Sequence, residues 1–343
     1  RDYYREVSVN GERVLPQGPP YWRIRFCPIE PGIHTYRISV RDRHGVTRWG
    51  PDRFRATAAQ TPGFVRVSRK DPRFFQFDSG AYFFPIGHNI RSPFATRADK
   101  QFPWKQRWPE GSLAYTRYFR DMARHGETLT EVWSCAWSLG LEWADERPGF
   151  HGIGQYNLAN AWETDRVLEE AERNGLRVNY VVHNHGKFGT FYDHEWELNP
   201  FNVINGGYLK DPEEYFTDPR ALDSFRKLMR YTVARWGYST SVFGWELWSE
   251  LNLTGSNQGE TNYRRPEVVE WHRTMGREIK AMDPYDHLIG THVSGDFTKQ
   301  NTEIISLPEM DYCPIDAYHH HPDPTFIVDL MHRTAEFNSA YKK

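Results

Sequence analysis

Two glutamates and a tryptophan fall two residues apart, at Glu246, Trp248 and Glu250 in the run VFGWELWSELNLT (residues 242–254). Val242, Phe243 and Trp245 are the β-branched and aromatic residues that strands favour. On an extended backbone alternate side chains share a face, so the run sets two carboxyls and an indole side by side. In a barrel of parallel strands that face is the interior, and the last of the three, Glu250, stands at the C-terminal mouth where such barrels place their chemistry. A carboxyl there could pass a proton to a departing oxygen. It could equally cap the next helix or pair with an arginine on the rim.

The elements that must hold this run alternate strand with amphipathic helix from Ala81 onward. Strands are predicted at Tyr82–Ile86, Leu129–Trp133, Val178–Val182, from Val242, at Leu288–Val293 and at Met310–Ile315. Between them, Tyr115, Phe119, Met122 and Ala123 share a helix face ended by Gly126. Asn160 and Glu163 have capping-box spacing, and Asp218-Pro219 opens a helix closed by Gly237. Such alternation means a parallel sheet, and no Gly-rich phosphate loop follows the first strand, which argues against an open dinucleotide-binding sheet. Polar and aromatic residues gather after each strand instead: His88 and Asn89, Trp133 and Trp137, His183 and His185, Glu250, His292, Tyr318. The fold class expected is α/β, a (β/α)8 TIM barrel with strands one to six present and the last two missing from the sequence. Before it, Tyr21–Phe26 and His34–Val40 alternate as antiparallel strands. Residues 1–60 are therefore expected to be a partial, immunoglobulin-like β-sandwich, 61–80 a linking β-hairpin and 81–343 the incomplete barrel.

Composition narrows the function. Lys and Arg total 43 against 45 Asp and Glu, which signals no nucleic-acid partner. No apolar run reaches the roughly 18 residues of a membrane helix. The sequence opens at Arg1 without Met, so it is expected to be an excerpt or a processed form. Cys27, Cys135 and Cys313 are few and far apart, which predicts buried thiols rather than a disulfide framework. His319–His321 are adjacent on a strand end and cannot all face one ion; no metal and no cofactor is expected. The 13 Trp suit a core, and they also suit a sugar-binding cleft, where a pyranose face stacks on an aromatic plane.

These motifs, in this order, resemble clan A glycoside hydrolases, the cellulase-like barrels. FGWELWSELN is similar to their fourth-strand Trp-Glu-Leu-x-Asn-Glu signature; IGHNI, VVHNHGKF, ELNPFNVINGGYL and MDYCPIDAY look like further pieces of that superfamily, and PYWRIRFCPIEPGIHTYRISV like an immunoglobulin-like module fused ahead of it. The resemblance implies a retaining hydrolase of β-linked poly- or oligosaccharides, secreted or periplasmic, with Glu250 as acid/base. It implies Tyr318 as the tyrosine that bonds the nucleophile, itself on a seventh strand outside the sequence. It also implies Asn89, His185 and His292 as lining of the sugar site, and Trp137 or Trp248 as a stacking surface. Ser249 stands where the family has Asn, and Asp316 where it has His. Because serine is too short to reach a sugar 2-hydroxyl, plain glucan and mannan are expected to be poor substrates. The rival class is a catalytically inactive carbohydrate-binding barrel; an inverting enzyme using Asp316 or Asp296 as base is a third reading.

Overall fold

The computed structural model describes residues 2–8, 11–92, 111–144, 149–255, 264–294, 302–316 and 323–341. Tyr318, Asp296 and the His319–His321 run lie outside them. The chain opens with two antiparallel hairpins, β1 (Asp2–Ser8) with β2 (Gly11–Gln17) and β3 (Gly32–Asp42) with β4 (Gly45–Ala56), each a separate two-stranded sheet. A packed sandwich is not seen among the described residues. Tyr21–Phe26, expected as a strand, pairs with no strand among the described residues, and its large apolar side chains are exposed. It is tied to the rest by ion pairs instead: Arg25 reaches the buried Asp165 at 2.8 Å.

Strands β5 (Val65–Val67), β6 (Phe75–Phe77) and β7 (Tyr82–Phe83) form a small antiparallel sheet. Val65 and Phe83 pack with Phe243, Leu288 and Tyr312, which come from the first turns of the barrel strands and from the chain beside them. What reads in the sequence as a linking hairpin thus stoppers the lower end of the barrel.

The barrel sheet follows. β8 (Leu129–Trp133), β9 (Arg177–Val181), β10 (Val242–Glu246) and β11 (Leu288–Gly290) are parallel neighbours in the order β11-β10-β9-β8. Two further segments flank them. Beyond β11, Asp311 and Tyr312 donate to the Ile289 carbonyl, and β12 (Val293–Ser294) pairs in parallel with β13 (Ile315–Asp316). On the other edge the residues after β7 run beside β8 without regular strand pairing. Ile86 accepts from Leu129 N–H, while the hydroxyls of Thr128 and Thr130 stand in for backbone groups, accepting from Ile86 and Ile90 N–H. The two threonines explain why the expected strand Tyr82–Ile86 is shorter: side chains have taken over its ladder.

Gly87 makes this approach possible, since a Cβ there would sit 1.9 Å from the Leu129 carbonyl oxygen. That neighbour is backbone and cannot swing away. Gly87→Ala is expected to cost about 1–3 kcal/mol, the usual range for overpacking. A urea midpoint unchanged from wild type, at unchanged slope, would show that this edge is not held as described.

Helices α1 (Ala114–Arg124), α2 (Leu158–Arg173), α3 (Pro219–Trp236) and α4 (Pro266–Met282) cover the sheet, followed by the short α5 (Thr302–Ile305) and by α6 (Thr325–Tyr341). α2 is capped three residues before the expected position. Asn157 is the N-cap, its side chain accepting from Ala159 and Asn160 N–H, and Asn160 spends its own amide on the Gly140 carbonyl. α3 is capped by Asp218 with Pro219 first, and buries Phe225, Met229, Val233 and Trp236 at spacings of four, four and three. No described helix is long and apolar enough to cross a membrane.

Candidate active site

The site is built where β10 runs out. Past Glu246 the chain stays bonded to both neighbours: Leu247 N–H donates to Gly290, Ser249 N–H to His183, and His292 N–H to the Trp248 carbonyl. At Glu250 the backbone turns into the left-handed region, φ 48° and ψ 53°, and a single 3-10 turn, Leu251–Leu253, follows. A non-glycine residue there costs on the order of 1–3 kcal/mol, and such strain persists only where the surroundings hold it. Here the surroundings are two strand-end partners and an imidazole. Glu250 Oε2 lies 3.1 Å from His185 Nδ1, and His185 Nε2 lies 3.2 Å from Asp193 Oδ2. Glu250 and His185 are both buried.

The indole of Trp133 meets His185 edge-on with centroids 6.3 Å apart, and Trp137, half-buried, packs 5.7 Å from Trp133. The Arg91 guanidinium covers Trp133 at 4.9 Å. One rim therefore gathers Glu250, His185, Trp133 and Trp137 from three successive strands. Asn89 is exposed on the edge segment, and no hydrogen bond among the described residues ties it to this group.

Below the rim lies a second polar layer. Glu131, Asn179 and Gly244 are register partners at one height across β8, β9 and β10. The Asn179 amide donates to Glu246, the Tyr312 hydroxyl donates to Asn179 Oδ1, and the Trp133 indole donates to Glu131. His292 Nδ1 stands 3.3 Å from Glu246 Oε1. Burial opposes a charge on His292, but the hydrogen bond and charge of Glu246, helped by Glu131 and Asp316, prevail and raise its pKa to about 9. Burial, reinforced by the Glu246 charge, raises Glu131 to about 7 against the pull of His292 and Trp133. Glu131, Glu246 and His292 bring potential metal ligands within 4.8 Å of one another. The protonated imidazole already supplies the positive charge in that space.

Trp248 and Ser249 stand elsewhere than the sequence suggests. Trp248 is fully buried in the helix layer, its indole donating to the Thr254 hydroxyl and packing on His183, Phe188, Phe216 and Trp271. Alternation carries Glu246 inward but fails after it, because the strand ends there and the chain bends. Trp248 consequently offers no face to a sugar ring. Ser249 is closed off as well, its hydroxyl 3.5 Å from His292 Nδ1. Asp316 is half-buried, 4.0 Å from His292 Nε2.

Sequence reasoning passed over Glu131, Asn179 and Tyr312. A signal for the first two exists: strands buried on both faces should read as continuous apolar runs, and LTEVW and RVNYV are each interrupted at the central position by a polar residue that is neither β-branched nor at a strand end. Phe191 and Tyr192 were also passed over; they project from the loop beside Asp193, 69% and 54% exposed, with rings 4.9 Å apart.

No family model matches the chain. It is 27% identical over 166 residues to the mannan endo-1,4-β-mannosidase A of Emericella nidulans, 44% of this chain and 40% of that one. To the Hypocrea jecorina mannan endo-1,4-β-mannosidase A it is 25% identical over 126 residues, 36% of this chain and 25% of that one. The chain thus spans less than half the length of the curated relatives it matches. Among solved structures, the Rhizomucor miehei endo-1,4-β-mannanase superposes with a TM-score of 0.56 at 16% identity, covering 82% of this chain and 80% of that one. The glycoside hydrolase family 5 mannosidase of the same fungus gives 0.57 at 16% identity, covering 82% and 71%. In fold, the chain is built like the (β/α)8 barrels of family 5 glycoside hydrolases.

Proposed function

We propose that this chain carries the acid/base half of a retaining glycoside hydrolase that cleaves β-linked polysaccharide by double displacement. The observation that carries the reading is Glu250: a buried carboxyl at the C-terminal end of β10, held in a left-handed backbone against an imidazole. In such a mechanism the acid protonates the glycosidic oxygen as a second carboxylate attacks the anomeric carbon from about 5–5.5 Å away; the acid, now a base, then activates water. We assign that nucleophile to a seventh barrel strand outside residues 1–343, and to Tyr318 the role of its hydrogen-bond partner. His185, Trp133 and Trp137 form the wall of the reactive subsite, and Asn89 and Asp316 its edges. Phe191 and Tyr192 offer the exposed ring faces that Trp248 does not. The hairpins of residues 1–60 belong, in this reading, to an immunoglobulin-like module ahead of the barrel. A polymeric substrate is met outside the cell, which favours a secreted or periplasmic protein.

β-1,4-Mannan is the first substrate to test, since the curated relatives are named for it. The Ser249 hydroxyl is turned to His292 Nδ1 at 3.5 Å, which favours testing plain mannan despite the expected mismatch at this position. The full-length protein should release mannooligosaccharides whose first-formed anomer, read by proton NMR, is β. An α first product would make the enzyme inverting. Binding of mannan without any cleavage would leave a carbohydrate-binding barrel.

A further inference from the structure

We propose that Asp193 is a positioning residue for Glu250, acting through His185; the proposal rests on the acid/base reading of Glu250. The His185 ring stands between two carboxylates, Nδ1 at 3.1 Å from Glu250 and Nε2 at 3.2 Å from Asp193. Both carboxylate residues have the same left-handed backbone, φ 48° each, and only one other non-glycine residue among those described has a positive φ. Strain of this kind on both sides of one imidazole marks a geometry that the surrounding chain imposes.

The loop that carries Asp193 is folded tightly enough to impose it. A Cβ on Gly186 would lie 2.5 Å from the Asp193 carbonyl, and one on Gly189 would lie 2.8 Å from that of Tyr192. Glu195 N–H donates to Gly186 and Trp196 N–H to Gly189, so the loop doubles back onto the residues after His185. The other end of the same turn is anchored from below. Lys187 Nζ lies 3.1 Å from His183 Nδ1, and His183 Nε2 lies 2.8 Å from the Tyr215 hydroxyl. Burial, with the Lys187 charge, holds His183 well below its ordinary pKa, so it serves as a neutral wedge.

Asp193 then does for His185 what a carboxylate behind an imidazole does elsewhere: it takes the Nε2 proton in a hydrogen bond and fixes both tautomer and ring plane. Nδ1, bare of a proton, is left 3.1 Å from Glu250 Oε2 to accept from the protonated carboxyl. The oxygen that carries the acid's proton is thereby located until the glycosidic oxygen takes that proton. A carboxyl misplaced by about 1 Å loses on the order of a hundredfold in rate. The loss falls only on substrates whose leaving group needs the proton.

The test uses the full-length protein with Asp193→Gly and Asp193→Asn. Glycine keeps the left-handed backbone and removes the carboxylate; asparagine tolerates the backbone and keeps an acceptor. For Asp193→Gly we expect kcat on β-mannan to fall about 10–100-fold with KM nearly unchanged, in the range of carboxylates that orient a histidine. On a dinitrophenyl glycoside the first, glycosylation step should change less than about threefold, because a leaving group that needs no proton does not read the acid's position. Asp193→Asn should recover most of the loss. The ring 15N shifts of His185 should report a proton on Nε2 in wild type and Asp193→Asn, and mixed tautomers in Asp193→Gly. Equal losses on both substrates, no loss on either, or an unaltered tautomer overturns the role of Asp193 alone. A wild type inert toward both substrates overturns the hydrolase reading and this inference together.

Discussion

Glu250→Gln in the full-length protein is expected to lower kcat/KM on β-mannan by about 10²–10⁴-fold, the usual contribution of a positioned general acid. The amide is isosteric and can still hydrogen-bond, but it has no proton to give. A sugar leaving group departs as an alkoxide of high basicity and cannot go unprotonated. A dinitrophenolate can, so the first step on a dinitrophenyl glycoside should survive the substitution. The second step should not, because Gln cannot draw a proton from water. The variant should therefore show a burst of dinitrophenolate followed by slow turnover, and azide, a nucleophile that needs no deprotonation, should restore the turnover. Glu250 is buried against His185 at 3.1 Å, and Gln keeps the volume, so the fold should be retained. Equal loss on the two substrates, or no rescue by azide, would remove Glu250 from the acid/base role.

The alternation of strands and helices was legible because each barrel strand is short, apolar and flanked by turn residues, and four of them pair as one parallel sheet. Glu250 was legible because it follows closely on such a strand, whose last residue is Glu246. Period-two alternation did not survive the strand end: it carried Glu246 inward, as the structure has it, but it also brought Trp248 to the cleft when the bend sends it into the helix layer. The two hydroxyls that replace a ladder beside Ile86 follow from no local propensity. Neither does the union of Glu131, Asn179 and Glu246, which lie far apart in sequence and meet only through strand register. Asp193 is hidden for a similar reason. Its role comes from a loop that doubles back, and Gly186 and Gly189, which permit it, look like ordinary turn residues.

That inner layer carries the largest stability effect. Glu246→Ala removes the carboxylate that accepts from Asn179 and faces His292. It leaves a buried imidazolium with only the weaker fields of Glu131 and Asp316. Breaking a buried pair from one side costs about 3–5 kcal/mol, and Glu246→Ala should fall in that range near pH 6. The pH dependence identifies the cause. His292 is raised from 6.5 to about 9 in the fold, so the stability it contributes is full below 6.5 and is lost as pH rises through 9. Glu131 is raised from 4.5 to about 7, so folding favours its neutral form, and that contribution is lost as pH rises from 4.5 through 7. Both act in the same direction: wild type loses stability toward alkaline pH. The His292 part alone amounts to about 3 kcal/mol at about 1.4 kcal/mol per pH unit, and the two are coupled, so they do not simply add. Without Glu246, His292 loses the partner that holds its proton and Glu131 loses the charge that repels its ionisation. The gap in unfolding free energy between wild type and Glu246→Ala should therefore be widest near pH 6 and narrow toward pH 9. Urea midpoints at both values measure it directly. A gap that is constant, or that widens with pH, would mean that His292 and Glu131 are not held by Glu246.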